Sequence, residues 1–78
     1  MTTAHETLET DAREAGYGVQ YDTAETVITK DVGVANVNHV RVARNPDGSF
    51  TSAKEVDPGG AVVNTFTSMK AVRDHLDL

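Results

Sequence analysis

His5, His39 and His75 are the side chains here best suited to move a proton or hold a metal near neutral pH. Their spacing serves neither purpose. No two stand at i and i+4 or in one short ligand-bearing loop, the patterns that bring imidazoles onto one ion. Each is expected as a surface residue. Asp31, Asp57 and Asp77 are equally dispersed, and Asp47 belongs to a turn. Ser49, Ser52 and Ser68 lack the Gly-x-Ser-x-Gly setting that exposes a nucleophile, and Ser68 is better placed as a helix cap. Gly59-Gly60 has neither the lysine nor the glycine spacing of a phosphate-binding loop. The chain contains no cysteine, which excludes disulfides, thiolate metal sites and thiol catalysis. The expectation is no catalytic residue, no metal ligand and no cofactor.

The remaining chemistry is charge recognition. Arg41 and Arg44, with His39 and Lys54 nearby, fall in one stretch, 37–56, that reads as a two-stranded ribbon able to enter a major groove. No aromatic residue is expected on that face for stacking bases. A plainer reading has Arg41 and His39 facing solvent and meeting Glu55 across the strands. His39, Arg41, Arg44, Lys54 and Glu55 are therefore the candidate interaction surface.

These residues are positioned by a hairpin. In Asn45-Pro46-Asp47-Gly48, proline presets φ, aspartate tolerates the bridge region and Gly48 supplies a positive φ, giving a type I turn closed by a glycine bulge. Pairing Asn45 with Ser49 sets Arg44 against Phe50, Val42 against Ser52 and Val40 against Lys54. The alternate pairs are Ala43/Thr51, Arg41/Ala53 and His39/Glu55. Val40, Val42 and Phe50 then point to a core, and His39, Arg41, Thr51 and Glu55 to water.

Thr3 and Glu6 form a capping box opening a helix to about Ala15, where Gly16 ends it in the left-handed conformation. Its apolar face, Ala4, Leu8, Ala12 and Ala15, holds one large side chain, which predicts weak docking. Tyr17, Val19 and Tyr21 alternate as a strand, and Thr26–Thr29 follows as a second. Asp31-Val32-Gly33 reads as a turn, and Val34–Val37 as loop or the start of the next strand. Pro58-Gly59 suits the centre of a type II turn, and Ala61–Thr65 reads as the last strand. Thr67 or Ser68 caps a final helix striped by Met69, Val72 and Leu76, with Phe66 as its hydrophobic staple. The order predicts an α+β two-layer sandwich, an antiparallel meander of three to five strands packed against N-terminal and C-terminal helices. Eleven valines against three leucines fit that strand bias.

Seventy-eight residues predict one small globular domain, 1–78. No apolar run is long enough to span a membrane, and the start, Met1 to Glu6, lacks the pattern of a secretory signal, so a soluble cytoplasmic protein is expected. Residues 1–36 hold seven acidic and two basic side chains, whereas 37–78 hold five of each. An acidic half argues against broad phosphate binding and reads as a solubilising surface or a patch for a basic partner.

From Val40 through the Asn-Pro-Asp-Gly turn to the Thr-capped terminal helix, the layout resembles that of HicB-like antitoxins over about half the chain. The N-terminal helix departs from that pattern, as does the lack of Glu-Glu-Ala after the last helix start. The helix–strands–helix order also resembles a double-stranded-RNA-binding domain, with its basic cluster reduced to Lys70. These resemblances imply a nucleic-acid-binding regulator using the 37–56 hairpin. The reading placed first is a non-catalytic accessory or regulatory protein acting through protein–protein contact, with another protein or as a dimer. A small enzyme stands third. An apolar strand edge left unpaired would favour the protein partner.

Overall fold

A computed structural model describes the chain except residues 1–2, 23, 31–32, 34–35 and 48–49. Gly48 and Ser49 of the expected bulged turn, and most of the 31–35 stretch, thus lie outside the described residues. Helix α1 (Ala4–Glu14) is followed by strands β1 (Gly18–Asp22), β2 (Glu25–Thr29), β3 (His39–Arg44), β4 (Phe50–Val56) and β5 (Val62–Phe66), then by helix α2 (Met69–His75). All neighbouring strands are antiparallel and in chain order, a five-stranded meander. This is the α+β sandwich expected, with the two helices on one face.

The helices begin and end as their residues dictate. The Thr3 hydroxyl accepts the Glu6 N–H at 3.1 Å, and Gly16 leaves α1 with φ of 85°. Ser68, rather than Thr67, caps α2, accepting the Ala71 N–H at 3.1 Å. Leu8, Ala12, Ile28, Val40, Val42, Ala53, Val72 and Leu76 form the buried core between helices and sheet. The helices are tied together by Arg73 on Asp11 at 2.6 Å, and the Tyr17 hydroxyl donates to the Leu76 carbonyl at 2.7 Å.

The register of the β3–β4 hairpin differs from expectation away from its turn. Arg44 opposes Phe50 as expected, but Val42 opposes Ala53, Arg41 opposes Lys54, Val40 opposes Glu55 and His39 opposes Val56. Between the first two pairs, Thr51 and Ser52 together face Ala43, a β-bulge. Strict alternation from Phe50 would have pointed Ser52 and Lys54 into the core. The bulge instead buries Ala53 and sends Lys54 to the open face. It also moves Glu55 off that face.

Two further corrections concern backbone and helix. At the second turn the positive φ, 93°, belongs to Gly60 and not Gly59, and the Gly60 N–H bonds the Asp57 carbonyl at 3.0 Å. The bend is therefore of type I with a left-handed glycine after it, not type II. The buried face of α1 is His5, Leu8, Glu9 and Ala12, so Ala4 and Ala15 stay exposed and two polar side chains join the single leucine on the buried face. Among the described residues, no helix is long and apolar enough to cross a membrane.

Candidate functional site

Three regions carry side chains able to bind or react: the open sheet face, a buried polar cluster beneath α1, and the β5 edge.

The sheet register builds the open face. Gln20, Val27, Arg41, Lys54 and Thr65 are successive cross-strand partners in one row over all five strands. Arg41 is its hub. Its Nη1 donates to Asp22 Oδ2 at 3.0 Å and Glu25 Oε1 at 3.2 Å, and its Nε donates to His39 Nε2 at 3.2 Å. The bond to Asp22, with that to Glu25, holds the guanidinium more firmly protonated than usual. Burial, then the adjacent Arg41 charge, pushes the His39 imidazole below its ordinary value, with Glu25 opposing. A neutral His39 at pH 7 is the acceptor that the Arg41 Nε–H requires. Lys54 stands 4.0 Å from the other Glu25 oxygen. An open groove of about 480 Å³ crosses this face between His39, Arg41, Lys54 and the 57–60 turn, with Val56 buried at its floor.

Of the five residues singled out from the sequence, His39, Arg41 and Lys54 share this face. Arg44 sits at its margin, with Nη2 donating to the Asp22 carbonyl at 2.8 Å and the guanidinium 5.1 Å from the Tyr21 ring centre. Glu55 does not belong to the group. The bulge turns it toward α2, where it accepts from Asn64 at 2.9 Å and meets His75 Nε2 at 3.2 Å. Bonds from Asn64, then Asn38 and His75, hold its carboxyl below the usual range against the effect of burial. The carboxylates expected from Glu55 are supplied to Arg41 by Asp22 and Glu25.

His5 overturns its expected surface position, being only 4% exposed. Its Nε2 lies 2.8 Å from the Thr26 hydroxyl and 3.2 Å from Glu9 Oε2. Thr26 donates to that same oxygen at 2.7 Å, and the Tyr21 hydroxyl donates to Glu9 Oε1 at 3.1 Å. Hydroxyl, carboxylate and imidazole are the ingredients of a nucleophilic site. Here they are spent on one another: Thr26 is wholly buried, and its proton goes directly to Glu9. The cluster locks α1 onto β1 and β2. Its signal lay in the i,i+4 spacing of His5 and Glu9 on the same helix face as Leu8 and Ala12.

The chain matches no family model, no curated protein and no solved structure. Among the described residues, no group of three or more His, Asp or Glu side chains is arranged to hold a metal ion.

The third region is β5. It pairs with β4 alone and forms one margin of the sheet. Val62 and Val63 are 51% and 48% exposed, two of the three large apolar side chains most open to water among the described residues. No charged residue occurs between Pro58 and Met69. Natural strand edges are usually blunted by lysine, proline or an inward charge. β5 has a bulge at Val63, where the β4–β5 register shifts, and none of the others.

Proposed function

We propose that this protein is a non-catalytic accessory or regulatory protein that acts through protein–protein contact, with β5 as the contact element. The observation that carries this reading is the exposed, uncharged edge of β5 with Val62 and Val63 on it. An unpaired strand offers a row of main-chain donors and acceptors, and partners add a strand to such edges. The open face supports the same choice by offering little to phosphate. Arg41 is already met by two carboxylates and Lys54 approaches one of them, so a nucleic acid would have to displace Asp22 and Glu25.

Affinity capture from native lysate, using wild type and Val63→Lys as baits, tests the reading with both protein and nucleic acid recovered. The expected result is a protein, a further copy of the chain included, that wild type retains and Val63→Lys loses. Random-sequence duplex and single strands are expected to show no binding below about 100 μM at about 0.15 M salt. Low-micromolar binding of either, abolished by Arg41→Ala with Arg44→Ala, would replace this reading with the nucleic-acid one.

A further inference from the structure

The three histidines meet different partners. His5 and His75 each set Nε2 3.2 Å from a carboxylate oxygen, on Glu9 and Glu55 respectively. His39 instead sets Nε2 3.2 Å from Nε of Arg41, a permanent donor. We propose that the His39–Arg41 pair is a proton-operated latch on the open sheet face, closed while the imidazole is neutral and opened when it takes up a proton.

The chemistry of the two groups makes bond and proton mutually exclusive. A guanidinium keeps all its N–H groups and has no lone pair to offer. In this contact the hydrogen therefore belongs to Arg41, and His39 must present the bare nitrogen. The single ring hydrogen is then on Nδ1, so a second proton goes to Nε2. Taking it up removes the acceptor, leaves two N–H groups head to head and sets two positive charges side by side.

The surroundings decide which state holds at neutral pH. Arg41 Nη1 is bonded to Asp22 on β1 and Glu25 on β2, at 3.0 and 3.2 Å, so the guanidinium stays beside His39 whether or not their bond is made. Lys54 on β4 stands 4.0 Å from the other Glu25 oxygen. Asp57, across the groove, accepts the Ala61 N–H at 2.9 Å, and Tyr21 turns its hydroxyl to Glu9. Burial and the Arg41 charge favour the neutral imidazole, and Glu25 opposes them. The latch is therefore closed at pH 7 and opens below the ordinary histidine value of about 6.5. In the closed state Arg41 and Lys54 balance Asp22 and Glu25. In the open state this group of residues gains one positive charge, and the Arg41 Nε–H and His39 Nε2–H are both released beside the groove.

The test is ¹H–¹⁵N NMR of the wild-type chain and two variants from about pH 8 to about pH 5, following the histidine ring nitrogens and the Arg41 Nε–H. The expected wild-type result is His39 with its hydrogen on Nδ1 at the alkaline end. The Arg41 Nε–H resonance should then move together with His39, on one midpoint below about 6.5. His39→Gln supplies a carbonyl acceptor that does not titrate, so the Arg41 resonance should lose its pH response over this range. Arg41→Ala removes the adjacent charge, and the His39 midpoint should rise by roughly half a pH unit. The latch is overturned by a hydrogen on His39 Nε2 at neutral pH, or by a wild-type midpoint at or above about 6.5. An Arg41 resonance that responds equally in His39→Gln, or a His39 midpoint unmoved by Arg41→Ala, overturns it as well.

Discussion

β1 and β5 both end the sheet, yet one is tied down by side chains and the other is left open. At β1, the Tyr21 hydroxyl is bonded to Glu9 and Arg13, and the guanidiniums of Arg13 and Arg44 stand 5.7 and 5.1 Å from its ring centre. Asp22 at the strand end engages Arg41. At β5 the exposed side chains are Val62, Val63, Asn64 and Thr65, with charge supplied only by neighbouring elements. The same fold thus spends polar and ionic contacts on fixing its first helix and strand, and leaves its last strand able to pair. Two edges of equal length need not carry equal function.

The largest expected effects test whether the two ends of the chain are equally anchored. Leu8 and Leu76 are both essentially buried, so Leu8→Ala and Leu76→Ala should each cost about 2–4 kcal/mol in urea denaturation. A loss under about 1 kcal/mol for Leu8→Ala alone would restore the weakly docked first helix that the composition of its apolar face suggests. Next comes the cluster that ties α1 to β1 and β2. Glu9→Ala removes the acceptor shared by Thr26 and Tyr21 and the partner of His5, and should cost about 2–3 kcal/mol. Amide exchange in α1 should quicken with it while that in α2 does not.

The weak-helix expectation shows where sequence reading stops. Strand alternation, the Thr3 and Ser68 caps and the glycine after α1 were legible because each depends on residues close in the chain. His5 and Glu9 were not, because their partners Thr26 and Tyr21 come from strands whose placement relative to α1 is a tertiary matter. The hairpin failed for a related reason. Turn chemistry set Arg44 against Phe50, but the bulge at Thr51 and Ser52 answers to what the core accepts at Ala53. One residue of slip moved Glu55 from Arg41 to His75 and brought Lys54 beside Glu25. Three of the five candidate surface residues still share a face, because His39 and Arg41 lie two apart on one strand and the bulge adds Lys54 to them.

Smaller effects sharpen the contrast around β5. Gly60→Ala, at a φ of 93°, should cost about 1 kcal/mol by thermal or chemical denaturation, and Gly59→Ala less, since Gly59 does not have a left-handed backbone. Equal losses would contradict the turn assigned before β5. The least effect is expected from Glu55→Gln, below about 1 kcal/mol at pH 7. The folded Glu55 carboxyl lies below its usual value through Asn64, Asn38 and His75, so its stabilisation is present above the ordinary carboxylate pKa of about 4.3 and is lost as pH falls through the lower folded value. The variant should therefore show a flatter acid limb in a stability–pH profile.

The comparison of the two edges is tested most directly by native-state amide hydrogen exchange of the wild-type chain. A first strand held by side chains and a last strand left open predict that amides within Val62–Phe66 exchange faster than those within Gly18–Asp22. Faster exchange at Gly18–Asp22 than at Val62–Phe66 would contradict the account.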